Sequence, residues 1–359
     1  LRYHRVSNAL MTNASRPTRR RFLAAAAGAL GPLVSPARAQ RLRKPAPNTS
    51  APNTSAPDTS APGEAEAVFS SDTAVVNLLA NIRNRRGELI KDLTKDDFTL
   101  LENGHPQSIR YFSRESDLPL VLGLLIDTSG SQQRVLNAER GAAMRFFDQV
   151  LRETSPDKGP GDRVFIEQFD TFIRPRATLT SSRVKLDDAL AFVDTQTVRE
   201  MRSAGAETLL FDAIAQASEE IMRPLTGRKA LLLLTDGDDN GSRKSLAEAI
   251  ESAHRGGVLV YSILYADSSA GGRDGRPVLK RLSAETGGGY FEISKKLPID
   301  QAFAIIEEDL RNQYSLGYVS DRPAEFAEFR RLQLTVTRPG LNSRDLTVQC
   351  RDRYWAVPL

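Results

Sequence analysis

The strongest constraint in this sequence is an alternation of two periods. Four short, near-continuous apolar runs stand out: "LVLGLLID" (120–127), "RVFIEQF" (163–169), "KALLLLTDG" (229–237) and "VLVYSILY" (258–265). Between and after them lie segments of helical period, "NAERGAAMRFFDQVL", "LLFDAIAQASEEIM", "SLAEAIESAHR" and "DQAFAIIEEDL". A strand that is apolar on both faces needs cover on both faces, and amphipathic helices supply it. The alternation therefore predicts an α/β domain over 118–312, built on a doubly wound, mostly parallel sheet. Ligands of such sheets bind outside the carboxyl ends of the strands, near the point where strand order reverses.

The flanks read differently. "AVVNLLANI", "DDFTLLENG" and "QSIRYF" before the domain are short β-like runs, and Asn103-Gly104 is a hairpin signal. "QYSLGYV", "FRRLQLTVT" and "RDLTVQCRDRYW" after it supply comparable strands. Neither flank is long enough for an independent core. The expectation is one small β-rich accessory module made jointly by 68–117 and 313–359, with the α/β domain inserted between them.

The formal charge of +4 invites a nucleic-acid reading, but it is unevenly placed. Residues 1–39 hold seven arginines and no acid, and the remaining chain carries 42 basic against 45 acidic residues. The basicity belongs to the tail, so no nucleic-acid partner is expected. That tail, "TRRRFLAAAAGALGPLVSPARAQ", has a basic cluster, a short apolar run and small residues before Gln40. This is the pattern of a secretory signal peptide over 1–39, and "TRRRFL" is similar to the twin-arginine export signal. The apolar run is too short to span a bilayer, so no integral membrane segment is expected in the mature chain. An exported protein, periplasmic or extracellular, follows as the expectation. The pentapeptide repeat "APNTSAPNTSAPDTS" then marks 40–67 as a solvated, disordered linker. The single cysteine, Cys350, excludes an intrachain disulfide and reads as a small core residue.

Three separated pieces carry oxygen-rich side chains to strand ends or helix starts. "DTSGS" presents Asp127, Ser129 and Ser131 after the first strand, "GAETLLFDAI" presents Thr208, and "LLLLTDGDD" presents Asp236. Singly, each has a bland reading: Asp127 and Thr208 as caps, Asp236 as a turn former. Jointly they form a set of hard oxygen donors, two charged and three neutral, suited to a divalent cation. "DGDDNG" (236–241) also matches the first half of a calcium loop, but Ala247 stands at its twelfth position and a strand precedes it. "TGGGY" (286–290) reads as a tight turn into a strand. A catalytic triad is hard to assemble from His4, His105 and His254 alone, and no catalytic site is expected.

In this order, Asp-x-Ser-x-Ser, a distant Thr and a distant Asp resemble the metal-ion-dependent adhesion site of von Willebrand factor A domains. The flanking segments are similar to a bacterial family of exported proteins related to those domains. The resemblance implies a Rossmann-like fold and a divalent metal, Mg²⁺ foremost with Mn²⁺ or Ca²⁺ as alternatives. It implies that Asp127, Ser129, Ser131, Thr208 and Asp236 hold the metal, the carboxylates typically through water. The implied function is protein binding without turnover, the metal bridging to an acidic group of a protein partner. One departure is Ala206-Glu207, where a Gly-Thr pair often stands; Glu207 adds a carboxylate beside the site. Two other readings compete: a structural envelope protein whose metal site is vestigial, and a metal-dependent phosphoester hydrolase, which lacks a visible nucleophile or second metal cluster.

Overall fold

The computed structural model describes residues 75–114, 119–151, 161–194, 207–265, 274–322 and 324–358. The leader expected over 1–39 and the linker expected over 40–67 lie outside them. The leading flank forms strands β1 (Val75–Arg83), β2 (Phe98–Glu102), β3 (His105–Gln107) and β4 (Ile109–Arg114). The α/β segment follows with β5 (Leu120–Asp127), helix α1 (Leu136–Val150), β6 (Arg163–Phe169), β7 (Ile173–Thr180) and α2 (Arg183–Ala191). It continues with α3 (Leu210–Gln216), β8 (Arg228–Leu234), α4 (Leu246–Gly256), β9 (Val258–Leu264), α5 (Arg276–Thr286), β10 (Tyr290–Glu292) and α6 (Ile299–Arg311). The trailing flank supplies β11 (Tyr314–Val319), β12 (Glu328–Val336), β13 (Thr347–Cys350) and β14 (Arg353–Ala356).

The central sheet has six strands in the order β10-β9-β8-β5-β6-β7. All its pairings are parallel except β6–β7, which is antiparallel. The chain moves from β5 to β6 on one side and returns through β8 on the other, so the strand order reverses between β5 and β8. Every residue of β5 is buried. Leu120, Leu122, Leu124 and Ile126 pack with α1, α2 and α6, while Val121 and Leu125 pack with α3, α4 and α5 on the opposite face. Full burial of each such side chain contributes roughly 1.5–3 kcal/mol, which is why β5 tolerates no polar alternation. The sequence reading of a doubly wound, mostly parallel sheet is what the chain forms. It passed over the edge strand β7, whose alternation is irregular, and the helices α2 and α5, whose apolar faces are short.

The two flanks interleave. One four-stranded sheet runs β13-β1-β11-β4 and another β14-β12-β2-β3, with antiparallel pairing throughout. They share one apolar core that includes Leu78, Ile82, Phe98, Leu100, Tyr314, Leu316, Leu332 and Leu334. The β2–β3 hairpin turns at Asn103 and Gly104, with φ of 48° and 83°, the left-handed pair that a two-residue turn of this kind requires. A buried carboxylate organises the module. Glu102 accepts hydrogen bonds from Tyr318 Oη (2.6 Å), Tyr354 Oη (3.0 Å) and Ser320 Oγ (2.7 Å), and pairs with Arg330 Nη1 at 2.8 Å. Cys350 is half-buried at the rim of this core and unpaired. Among the described residues, no helix is long and apolar enough to cross a membrane.

Candidate metal centre

The reversal of strand order places the carboxyl ends of β5 and β8 side by side. Asp127 is the last residue of β5 and Asp236 follows β8 by two residues. Between them stands Thr235, whose hydroxyl donates to Asp127 Oδ2 at 2.7 Å and accepts from the Gly237 amide at 3.0 Å. Gly237 adopts φ of 82°, and a Cβ there would meet the Gly275 carbonyl oxygen at 2.9 Å. Glycine is thus required on two counts for the chain to leave β8 in the direction that presents Asp236.

Asp127 is fully buried. Its other oxygen, Oδ1, accepts the Ser129 amide at 2.9 Å, the local turn that a bland reading expects. The hydroxyls behave differently. Ser129 precedes the short 3-10 turn Gly130–Gln132, yet its side chain makes no capping bond. It lies instead 3.1 Å from Ser131 Oγ, at a place where Ser131 is exposed. Two hydroxyls freed from backbone duty and set side by side at the surface are well suited to serve as neutral cation ligands.

Thr208 arrives from the loop before α3. The cap of that helix is Leu209, without a side-chain cap bond, so the Thr208 hydroxyl does not close the helix end. Its backbone is tied to the loop after β8. The Thr208 amide donates to Asn240 Oδ1 at 2.6 Å, and its carbonyl accepts from the Asn240 and Gly241 amides at 3.3 and 3.2 Å. The same loop caps α3: Asp239 Oδ2 accepts the Phe211 amide at 3.0 Å and Ser242 Oγ accepts the Asp212 amide at 3.0 Å. Within "DGDDNGS", Asp239 and Ser242 thus cap α3 and Asn240 holds Thr208. Asp236 Oδ1 accepts the Asp238 amide at 3.1 Å.

The electrostatics are one-sided. Burial, then the Asp236 charge, push the Asp127 carboxyl up to about 7, against the pull of its Ser129 and Thr235 hydrogen bonds. A third acid, Glu139, is fully buried in the first turn of α1. Burial and then the charges of Asp127 and Asp236 push it up to about 8. The charges acting on them are carboxylates, Asp236 on Asp127 and both aspartates on Glu139. An acid-rich strand end with neighbouring hydroxyl oxygens, where mutual repulsion and burial resist ionisation, fits a hard divalent cation that would relieve both. The structure links Asp127 directly to Ser129, Ser129 to Ser131, and Thr208 to the loop that carries Asp236. Among the described residues there is no cluster of three or more His, Cys, Asp or Glu arranged to hold a metal, so any cation here depends on the hydroxyls. The sequence reading singles out neither Thr235, the residue after β8, nor Glu139, in the first turn of α1.

A doubly wound sheet with an acid–hydroxyl cluster at its reversal point defines a class of α/β binding domain. The von Willebrand factor type A domain family matches residues 122–301, and the chain belongs to that family. No curated protein matches the chain. Among solved structures, it is similar to BatB from Bacteroides thetaiotaomicron at 14% identity, covering 53% of this chain and 97% of that one, with a TM-score of 0.42. It is similar to the von Willebrand factor domain of the type V pili tip protein Mfa5 from Porphyromonas gingivalis at 12% identity, covering 54% and 95%, TM-score 0.41. A third is proximal thread matrix protein 1 from the mussel byssus with a zinc-occupied adhesion-site motif, at 17% identity, covering 59% and 50%, TM-score 0.44. At these scores the likenesses add nothing to the family assignment.

Proposed function

We propose that this chain is an exported protein-binding module whose capture of a partner depends on a divalent cation, Mg²⁺ foremost. Asp127, Ser129, Ser131, Thr208 and Asp236 hold the cation in this reading, and residues 118–312 form the binding domain. A bound divalent cation supplies an exchangeable coordination position for a carboxylate of the partner. The protein's own part is to keep that position available. Three neutral hydroxyls contribute oxygen without cancelling charge, and Thr235 holds Asp127 in one orientation. Glu207, exposed and next to Thr208, sets a negative rim that selects how an acidic partner approaches.

The observation that carries this reading is the pair of adjacent hydroxyls, Ser129 and Ser131, neither capping the turn that follows, beside a buried carboxylate with no ion-pair partner among the described residues. In this reading the set binds a partner without turnover. Calorimetric titration of the purified chain with Mg²⁺, Mn²⁺ and Ca²⁺ tests it, together with capture of envelope proteins in the presence and absence of a chelator. Saturable cation binding and chelator-sensitive capture are expected. A chain that binds none of the three at millimolar concentration lacks the function proposed.

A further inference from the structure

Helix α1 buries an apolar face made by Leu136, Ala142, Ala143, Phe146, Phe147 and Val150. Glu139 interrupts that face. It is 0% exposed, and neither carboxylate oxygen meets a hydrogen-bond donor among the described residues. Gln132, in the turn that carries Ser131, is 1% exposed and likewise leaves Oε1 without a donor. An unpartnered buried carboxylate is among the costliest groups a core can hold, and a leucine or methionine would suit the helix face better. The charges acting on it are the carboxylates of Asp127 and Asp236, so its surroundings repel it rather than stabilise it. Packing alone gives no reason for an acid at this position.

Resting on the cation reading of the site, we propose that Glu139 is its third carboxylate, a positioning residue that strengthens cation binding by its charge and acceptor oxygens without direct coordination. Glu139 stands in the first turn of α1, whereas the five proposed ligands stand at strand ends and in the loops before the helices. Every orphaned side-chain atom on Glu139 and Gln132 is an acceptor oxygen, the kind that hydrated cations satisfy. The site trades stability of the empty protein for affinity when filled.

Calorimetric titration of the full chain with Mn²⁺ and Mg²⁺ tests this, comparing wild type with Glu139→Gln, Glu139→Asp and Asp127→Ala. Glu139→Gln keeps the volume and removes the charge. It is expected to weaken cation binding about 10–100-fold, the range for groups that support metal ligands from outside the ligand set. Its metal-free Tm should stay the same or rise. Glu139→Asp, which keeps the charge, should retain more affinity than Glu139→Gln even though it packs less well. Equal affinity of Glu139→Gln and wild type, with Asp127→Ala impaired, overturns the role of Glu139 and leaves the site standing. If wild type binds neither ion, the cation site itself falls, and this proposal with it.

Discussion

The hydroxyl of Thr235 donates to Oδ2 of Asp127 at 2.7 Å, joining the ends of two adjacent parallel strands across 108 residues of sequence. The same hydroxyl oxygen receives the Gly237 amide, so one side chain orients the buried acid and starts the turn that presents Asp236. Thr235→Val keeps the shape and removes both bonds. Leaving the buried Asp127 oxygen and the Gly237 amide short of a partner costs about 1–3 kcal/mol each. Denaturant unfolding should show a loss of about 2–6 kcal/mol for the two together, and cation titration a weaker site. Unchanged stability would mean that Asp127 finds its orientation elsewhere.

Within the ligand set, charge sets the order of importance. Asp127→Ala removes a charged oxygen group and should cost more affinity than Ser129→Ala, Ser131→Ala or Thr208→Ala, because charge-assisted interactions are about twice as strong as neutral ones. The metal-free Asp127→Ala protein should be as stable as wild type or slightly more so, since repulsion from Asp236 and Glu139 is relieved. Titration calorimetry and thermal melts on the four variants give both readings. A serine variant that loses more affinity than Asp127→Ala contradicts the order.

The accessory module should depend on Glu102. It is 3% exposed, pairs with Arg330, and receives two tyrosine hydroxyls. Glu102→Ala leaves the Arg330 guanidinium buried with only the Glu328 carboxylate as an acidic partner, a change expected to cost about 3–5 kcal/mol. Glu102→Gln retains acceptors for the tyrosines and should cost less. Cation affinity should move little in either variant, because Glu102 takes no part in the site. Urea unfolding followed by tyrosine fluorescence measures the loss.

His254 gives a pH signature. It is 9% exposed at the end of α4, and burial, then Arg351 and Arg353, push its pKa down to about 3. The unfolded chain takes up a proton near pH 6.5 while the folded chain does not. Stability contributed by the neutral ring is therefore present above pH 6.5 and lost progressively as pH falls towards 3. Glu139 and Glu167, pushed up to about 8 and about 7, carry the opposite sign, gaining stability as pH falls towards 4.5. The difference between wild type and His254→Asn isolates the histidine. Between pH 7 and pH 5 it should shift in favour of the variant by about 1–2 kcal/mol. A difference independent of pH would show that His254 is not buried neutral.

Much of this molecule was legible along the chain. Apolar runs such as "LVLGLLID" and "KALLLLTDG" can be satisfied only by a sheet covered on both faces, and period 3.6 between them named the cover. Asn103-Gly104 announced its hairpin because few other pairs accept two left-handed residues in a row. "DTSGS", Thr208 and Asp236 could be singled out because their side-chain chemistry is a property of residue type and order. These features are local, and local propensity acts before any distant contact forms.

Tertiary structure decided what those residues face. Strand order put β8 beside β5, and only that adjacency brought Thr235 to Asp127 and set the charge of Asp236 against it. Packing of α1 on the sheet turned Glu139, one acid among many in the sequence, into a buried carboxylate without a donor. The pairing of β1 with β11, and of β2 with β12, joined segments from opposite ends of the chain into shared sheets. Periodicity tells a strand which faces must be buried, but not which strand lies beside it. Partner choice is settled by the summed packing of the whole core, so the electrostatics of the site could be known only once the chain had closed around it.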